Sequence, residues 1–132
     1  MSVILYTLII AIVIPYLLSW VSGYCRIKQF GGYDNHNPRA QQSALEGLGA
    51  RAMSAQANAW EALMMYTATC VIIFIAGIDL TSLDTIAYIF IGFRVLHAIF
   101  YLLDVALLRS LSFGVSATCC FYMIYLAANI AT

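Results

Sequence analysis

Glu61 and Arg94 are ionisable residues set deep inside long apolar stretches. An ionised side chain near the centre of a bilayer costs about 2.5–3.5 kcal/mol on insertion scales. Two opposite charges in two different apolar segments predict that each finds the other, within a polar pocket inside a membrane-spanning bundle. Neither residue stands alone. Arg51, Ser54, Asn58 and Glu61 recur at i, i+3, i+7 and i+10, which puts them on one face of an α-helix. Arg94, His97, Tyr101 and Asp104 repeat the same spacing. Interhelical polar contacts in membranes average only about 0.6 kcal/mol, so fastening two helices is a weak reason to bury so many. A polar pocket open to the cytoplasm and able to hold a charged small molecule is the stronger reading. His97 is read first as a hydrogen-bonded packing group, with proton transfer as the alternative.

The two stripes run on antiparallel segments, so their depths can be compared. With Leu48 and Ala106 taken as the cytoplasmic ends and a rise of about 1.5 Å per residue, Glu61 lies roughly 20 Å in and Arg94 roughly 18 Å in. Asn58 and His97 lie at about 14–15 Å, and Arg51 and Asp104 at about 3–5 Å. This register predicts ion pairs Glu61–Arg94 and Arg51–Asp104, with neutral hydrogen-bonding groups between them.

Four apolar segments must position these stripes: Met1 to Cys25, Leu48 to Ile78, Ser82 to Leu108, and Ser110 to Thr132. Each reaches the ~20 residues needed to cross about 30 Å of hydrocarbon. Only 9% of the 132 residues are charged and 64% are hydrophobic, whereas about a quarter of a soluble domain is charged. The expected fold is therefore all-α: a single-domain, four-transmembrane-helix, up-down-up-down bundle over residues 1–132. The net charge is zero, which removes the electrostatic case for nucleic acid. Cys25, Cys70, Cys119 and Cys120 form no C-x-x-C spacing, so they read as apolar thiols and no metal is expected. Neither a serine elbow nor a phosphate-binding glycine loop is present.

The first segment has no basic leader and a long apolar run, so it is expected to be a retained anchor rather than a signal peptide. Arg26, Lys28 and Arg39 follow it, Arg109 lies between the third and fourth segments, and the Asp79–Asp84 link has no Lys or Arg. The positive-inside rule then predicts both termini outside the cytoplasm. Pro15 is expected to bend the first helix. In the first link, Asn37 before Pro38 predicts a short capped helix, and Ser43-x-x-Glu46 has the form of a capping box for the second long helix.

The stretch Arg51-Ala-Met-Ser-Ala-Gln-Ala-Asn58-Ala-Trp-Glu61 resembles a signature of the membrane-associated proteins in eicosanoid and glutathione metabolism, the MAPEG family. That signature has the form R-x-x-R-A-x-x-N-x-x-E, and Arg51, Ala55, Asn58 and Glu61 match it. Gly92-Phe-Arg94-Val-Leu-His97-Ala-Ile-Phe-Tyr101 is similar to the family's third helix, and Arg109-Ser110 to the start of its fourth. The link from Gly31 to Arg39 looks like that of bacterial members. The resemblance implies a homotrimer in a bacterial inner membrane, with glutathione as cosubstrate in a cytoplasm-facing cleft between subunits. It implies a transferase or peroxidase acting on small lipophilic electrophiles. By the same carry-over, Arg51, Asn58 and Glu61 would lie near the glutathione backbone and carboxylates, with Arg94 paired to Glu61. His97 and Tyr101 would line the site. Arg109, with Ser110 beside it, would stabilise the thiolate.

The chemistry is consistent with that carry-over. A thiol of pKa about 8.5 needs a nearby cation to ionise at neutral pH, and Arg109 is a permanent charge near a helix N-terminus. The chain also departs from the family pattern. Ser54 replaces the middle arginine of the signature, Ala57 stands where some members carry another, and Phe113 takes the place of a tyrosine that contacts the thiol in several members. Fewer cations leave open two alternatives: a non-catalytic member that binds another small anion or a lipid headgroup, and a purely structural trimer.

Overall fold

Each apolar segment folds as a helix because a chain in hydrocarbon must satisfy its backbone hydrogen bonds within the segment. The computed structural model describes residues 2–130, and all of its regular structure there is helical. The order is α1 (Val3–Phe30), a short α2 (Pro38–Ser43), α3 (Gly47–Ile75), a 3-10 turn (Leu80–Leu83), α4 (Asp84–Leu102) and α5 (Ala106–Ile130). Four helices, α1, α3, α4 with its leading turn, and α5, are long and apolar enough to cross a membrane. The outermost predicted ends, at Met1 and Thr132, lie outside the described residues.

Helices α3 and α4, which carry the polar stripes, form the middle of the bundle. They touch each other, and both α1 and α5 pack against the pair. The contact of α3 with α1 uses small residues. Gly49, Ala52, Ala55 and Ala59 are buried on a face separate from the polar stripe. A Cβ on Gly49 would stand 2.9 Å from the Cβ of Cys25 in α1 and 2.8 Å from Leu45 Cδ2, so only glycine permits this approach. Further along, Tyr66 of α3 stacks on Phe90 of α4 at 3.9 Å. Its hydroxyl lies 2.7 Å from Thr7 Oγ1 of α1. Thr7 spends its own proton on the Ile4 carbonyl, so Tyr66 is the donor. Pro15 is buried within α1, which stays helical through it.

Several ends differ from the sequence expectation. The first helix runs past Cys25 to Phe30 and stops at Gly31, whose φ is 79°. The third membrane segment ends at Leu102 rather than Leu108. There, Asp104 N–H donates to the Tyr101 carbonyl and Val105 N–H to the Phe100 carbonyl, with Asp104 at φ 62°. This two-bond closure is a Schellman motif, which needs a left-handed residue. Helix α5 then starts at Ala106, so Arg109 lies in its first turn, with its N–H on the Val105 carbonyl, and not in a link.

The α1–α3 connection is ordered by side chains. Pro38 opens α2 after Asn37 as expected, but Asn37 makes no side-chain cap. Asp34 Oδ1 instead accepts the N–H groups of Asn37 and His36, each at 2.9 Å, and these bonds hold its carboxyl below the ordinary carboxylate range. The Ser43–Glu46 capping box does not form: Ser43 ends α2 with its hydroxyl on the Ala40 carbonyl. Glu46 is the N-cap of α3, and its N–H is taken by Gln29 Oε1 from the end of α1. A group from another helix does the work expected of a local one.

Candidate functional site

Five of the sequence-selected residues come together. Asn58 of α3, His97 and Tyr101 of α4, and Arg109 and Ser110 of α5 line one cleft of about 310 Å³, with Phe113 completing the wall. Spacing explains the set. His97 and Tyr101 are one turn apart on α4. Arg109, Ser110 and Phe113 occupy the start of α5, which the Asp104 turn folds back against α4. Arg109 sits with its guanidinium carbon 4.5 Å over the Tyr101 ring, a cation–π contact that fixes the charge at the cleft wall. His97 is 3% exposed. It packs edge-on to Tyr101 at 5.5 Å and tilted against Phe113 at 6.3 Å. Among the described residues no carboxylate lines this cleft. Asn58, Arg109, Ser110 and Tyr101 can all donate hydrogen bonds into it, so its chemistry suits an anion or other acceptor.

Arg51, Arg94 and Glu61 lie outside that lining. Arg51 Nε donates to the Leu102 carbonyl at 3.1 Å, and its Nη1 lies 3.9 Å from Asp104 Oδ2. The expected Arg51–Asp104 pair therefore forms. It adds a cation at the C-terminal end of α4, where free carbonyls and the helix dipole favour positive charge.

The expected Glu61–Arg94 ion pair does not form. Arg94 Nη2 donates to Asn58 Oδ1 at 2.7 Å and to the Asn58 carbonyl at 3.3 Å. Glu61 is exposed on α3 and has no ion-pair partner among the described residues. It shares with Arg94, Phe113 and Ser116 a separate pocket of about 150 Å³. The guanidinium sits at the end of a long side chain that can reach a helical turn either way. It takes two acceptors on one residue, Asn58, in place of the carboxylate about one turn further along α3.

Two further features were not legible as site elements. Ser110 also borders an apolar groove of about 500 Å³ between α4 and α5, lined by Ile86, Ile89, Leu111, Val115 and Tyr122 among others. The polar cleft and this groove thus meet at one residue. Arg26, read only as an orientation signal, is 8% exposed. Its Nε donates to Gln41 Oε1 at 2.6 Å and its guanidinium stacks 4.8 Å from the Tyr33 ring centre. Its Nη2 is buried without a partner among the described residues. Gln41 also accepts the Asp34 N–H and donates to the Gly32 carbonyl, so one amide gathers the whole link. A basic residue directly after an apolar run was its only sequence signal.

Searches among curated proteins and among solved structures found no significant match. The profile of the MAPEG family matches residues 3–129, nearly the whole chain. With four membrane-length helices and that match, this chain is an integral membrane protein and belongs to the MAPEG family.

Proposed function

We propose that the chain is a glutathione-dependent transferase or peroxidase acting on lipophilic electrophiles. The observation that carries this reading is the cleft itself: a donor-lined cavity with no carboxylate among the described residues of its wall, which meets an apolar groove at Ser110. The cleft suits the carboxylates and thiolate of glutathione, and the groove suits a substrate arriving from lipid. In this reading Arg109 holds the thiolate with Ser110 beside it, and His97 and Tyr101 line the site. Arg51, Asn58, Glu61 and Arg94 serve the peptide end, directly or through one another. The thiolate sulfur forms a bond to the electrophilic carbon, and the leaving group departs with its electron pair.

A homotrimer is part of the proposal. Glu61 stands in the middle of α3 and is exposed on the single chain. A carboxylate facing lipid at that depth is costly, and a neighbouring subunit that covers it removes the cost. The bundle is oriented up-down-up-down in a bacterial inner membrane, with both termini outside the cytoplasm and the cleft facing it. What supports the orientation is that Arg26, Lys28, Arg39 and Arg109 lie at one end of the bundle. Thiol labelling of a cysteine placed in the Asp79–Asp84 link, from each side of the membrane, tests the orientation; labelling from the cytoplasm alone overturns it.

Calorimetric titration of the detergent-purified protein with glutathione, followed by turnover with an activated aryl chloride, tests the activity. Binding with chloride release supports the enzyme. One observation favours a second reading, a non-catalytic member that binds another small anion or a lipid headgroup: Arg51 and Arg94 are engaged elsewhere, which leaves Arg109 as the one cation in the cleft lining among the described residues. Binding without turnover would select that reading, and absence of binding would refute glutathione as the ligand.

A further inference from the structure

Arg94 is 4% exposed and donates from one nitrogen to both oxygens of Asn58. It does not line the cleft, whereas Asn58 does. A guanidinium has donors and no acceptor, so the atom of the Asn58 amide that faces it must be the oxygen. That leaves the amide nitrogen for the other side of the group. Among the described residues nothing accepts from it. An asparagine amide without such a neighbour can turn over and offer either atom. Here the turned-over form would set two donors face to face in a buried site and forfeit a charge-assisted bond.

We propose that Arg94 is a positioning residue. It locks the Asn58 amide so that the cleft meets only N–H, and the ligand group taken at that wall is an acceptor, a carboxylate or carbonyl oxygen. This deepens the glutathione reading and rests on it for the identity of the ligand. The sequence motif cannot carry this inference, because it would equally pair Arg94 with Glu61. The 2.7 Å contact to Asn58 carries it.

The test uses the full chain in detergent, with Asn58→Asp, Asn58→Leu, Arg94→Gln, Arg94→Lys and the double variant Asn58→Leu/Arg94→Gln. Two quantities are read for each: ligand-free thermal stability and calorimetric affinity for glutathione. Asn58→Asp keeps an oxygen against Arg94, so stability holds, but it turns a second oxygen to the cleft, and affinity falls about ten- to a hundredfold. Arg94→Gln weakens binding about tenfold when Asn58 is present and adds little in the Asn58→Leu background. Arg94→Lys, which keeps one charged donor, recovers most of that loss.

Equal losses from Arg94→Gln in both backgrounds would mean that Arg94 acts independently of Asn58, which overturns the proposal. So would an Asn58→Asp protein that binds as well as the wild type. Should the wild type give no heat with glutathione, the glutathione reading falls by itself. The ligand-free melting temperatures then decide the lock: losses from Asn58→Leu and Arg94→Gln that are less than additive in the double variant support it, and full additivity overturns it.

Discussion

Asp104 offers a test in which three effects can be separated at one position. Its φ of 62° is the only left-handed backbone among the described non-glycine residues, and that conformation closes α4 and redirects the chain into α5. A side chain with a Cβ costs about 1–2 kcal/mol in this region, with asparagine and aspartate at the low end. Its carboxylate also pairs with Arg51 at 3.9 Å, across side chains 32% and 67% exposed. At that exposure the pair contributes about 0–1 kcal/mol. Asp104→Asn keeps a tolerated left-handed residue and loses only the pair, so it should cost less than about 1 kcal/mol. Asp104→Gly loses the pair too, but relief of backbone strain offsets that against the freedom glycine gains when unfolded. Its net change should lie within about 1 kcal/mol of zero.

Asp104→Val meets the upper end of the left-handed cost with a branched side chain, where aspartate meets the lower, and loses the pair, so it should cost about 1–2 kcal/mol. Unfolding of the detergent-solubilised protein, followed by circular dichroism, measures all three. The expected order is glycine and asparagine together, with valine below them. Were Asp104→Val as stable as Asp104→Asn, the left-handed closure of α4 would be wrong. The positions of Arg109, Ser110 and Phe113 that depend on it would be wrong as well. Were Asp104→Asn to cost as much as Asp104→Val, the ion pair rather than the backbone would dominate, against its exposure.

The remaining expectations test other parts of the fold and site. Gly49→Ala should destabilise by about 1–3 kcal/mol, because its methyl meets the Cys25 Cβ at 2.9 Å and one of two helices must move; thermal unfolding in detergent checks it, and an unchanged midpoint refutes the close approach. Arg109→Gln should move the titration of bound glutathione thiol toward its free value, read as thiolate absorbance against pH, and should lower turnover with it; intact binding with an unchanged titration would refute the catalytic role of Arg109. Asp34, whose carboxyl is held down by the Asn37 and His36 amides, orders the link only while ionised. That order is full above the usual carboxylate pKa of about 4 and is lost as pH falls through the lowered folded value. Loss of protection at the His36 and Asn37 amides, taken relative to their intrinsic exchange rates at each pH, is the expected result on acidification, and protection that does not change with acid would contradict it.

The sequence by itself determined the four membrane-length helices, the two polar stripes and the family. Each is a local or periodic property. Length and apolarity decide whether a segment can lie in hydrocarbon, and a spacing of three and four residues decides which side chains share a helical face. The Arg51–Asp104 pair was legible for the same reason: both residues sit near helix ends, where the depth estimate accumulates little error. Tertiary structure alone decided the rest. An offset of two residues along a helix is about 3 Å of depth, and side chains as long as arginine span more than that. Sequence spacing therefore could not choose between Asn58 and Glu61 as the partner of Arg94. Nor does spacing decide which residues of one helical face line the same cavity: Asn58 lines the cleft, whereas Glu61, about one turn away, is exposed and lines the separate pocket that Arg94 also borders. The end of α4 at Leu102 depended on Asp104 accepting a conformation that residues of its type only sometimes adopt. The cap of α3 came from Gln29, seventeen residues away in sequence, where no local pattern could announce it.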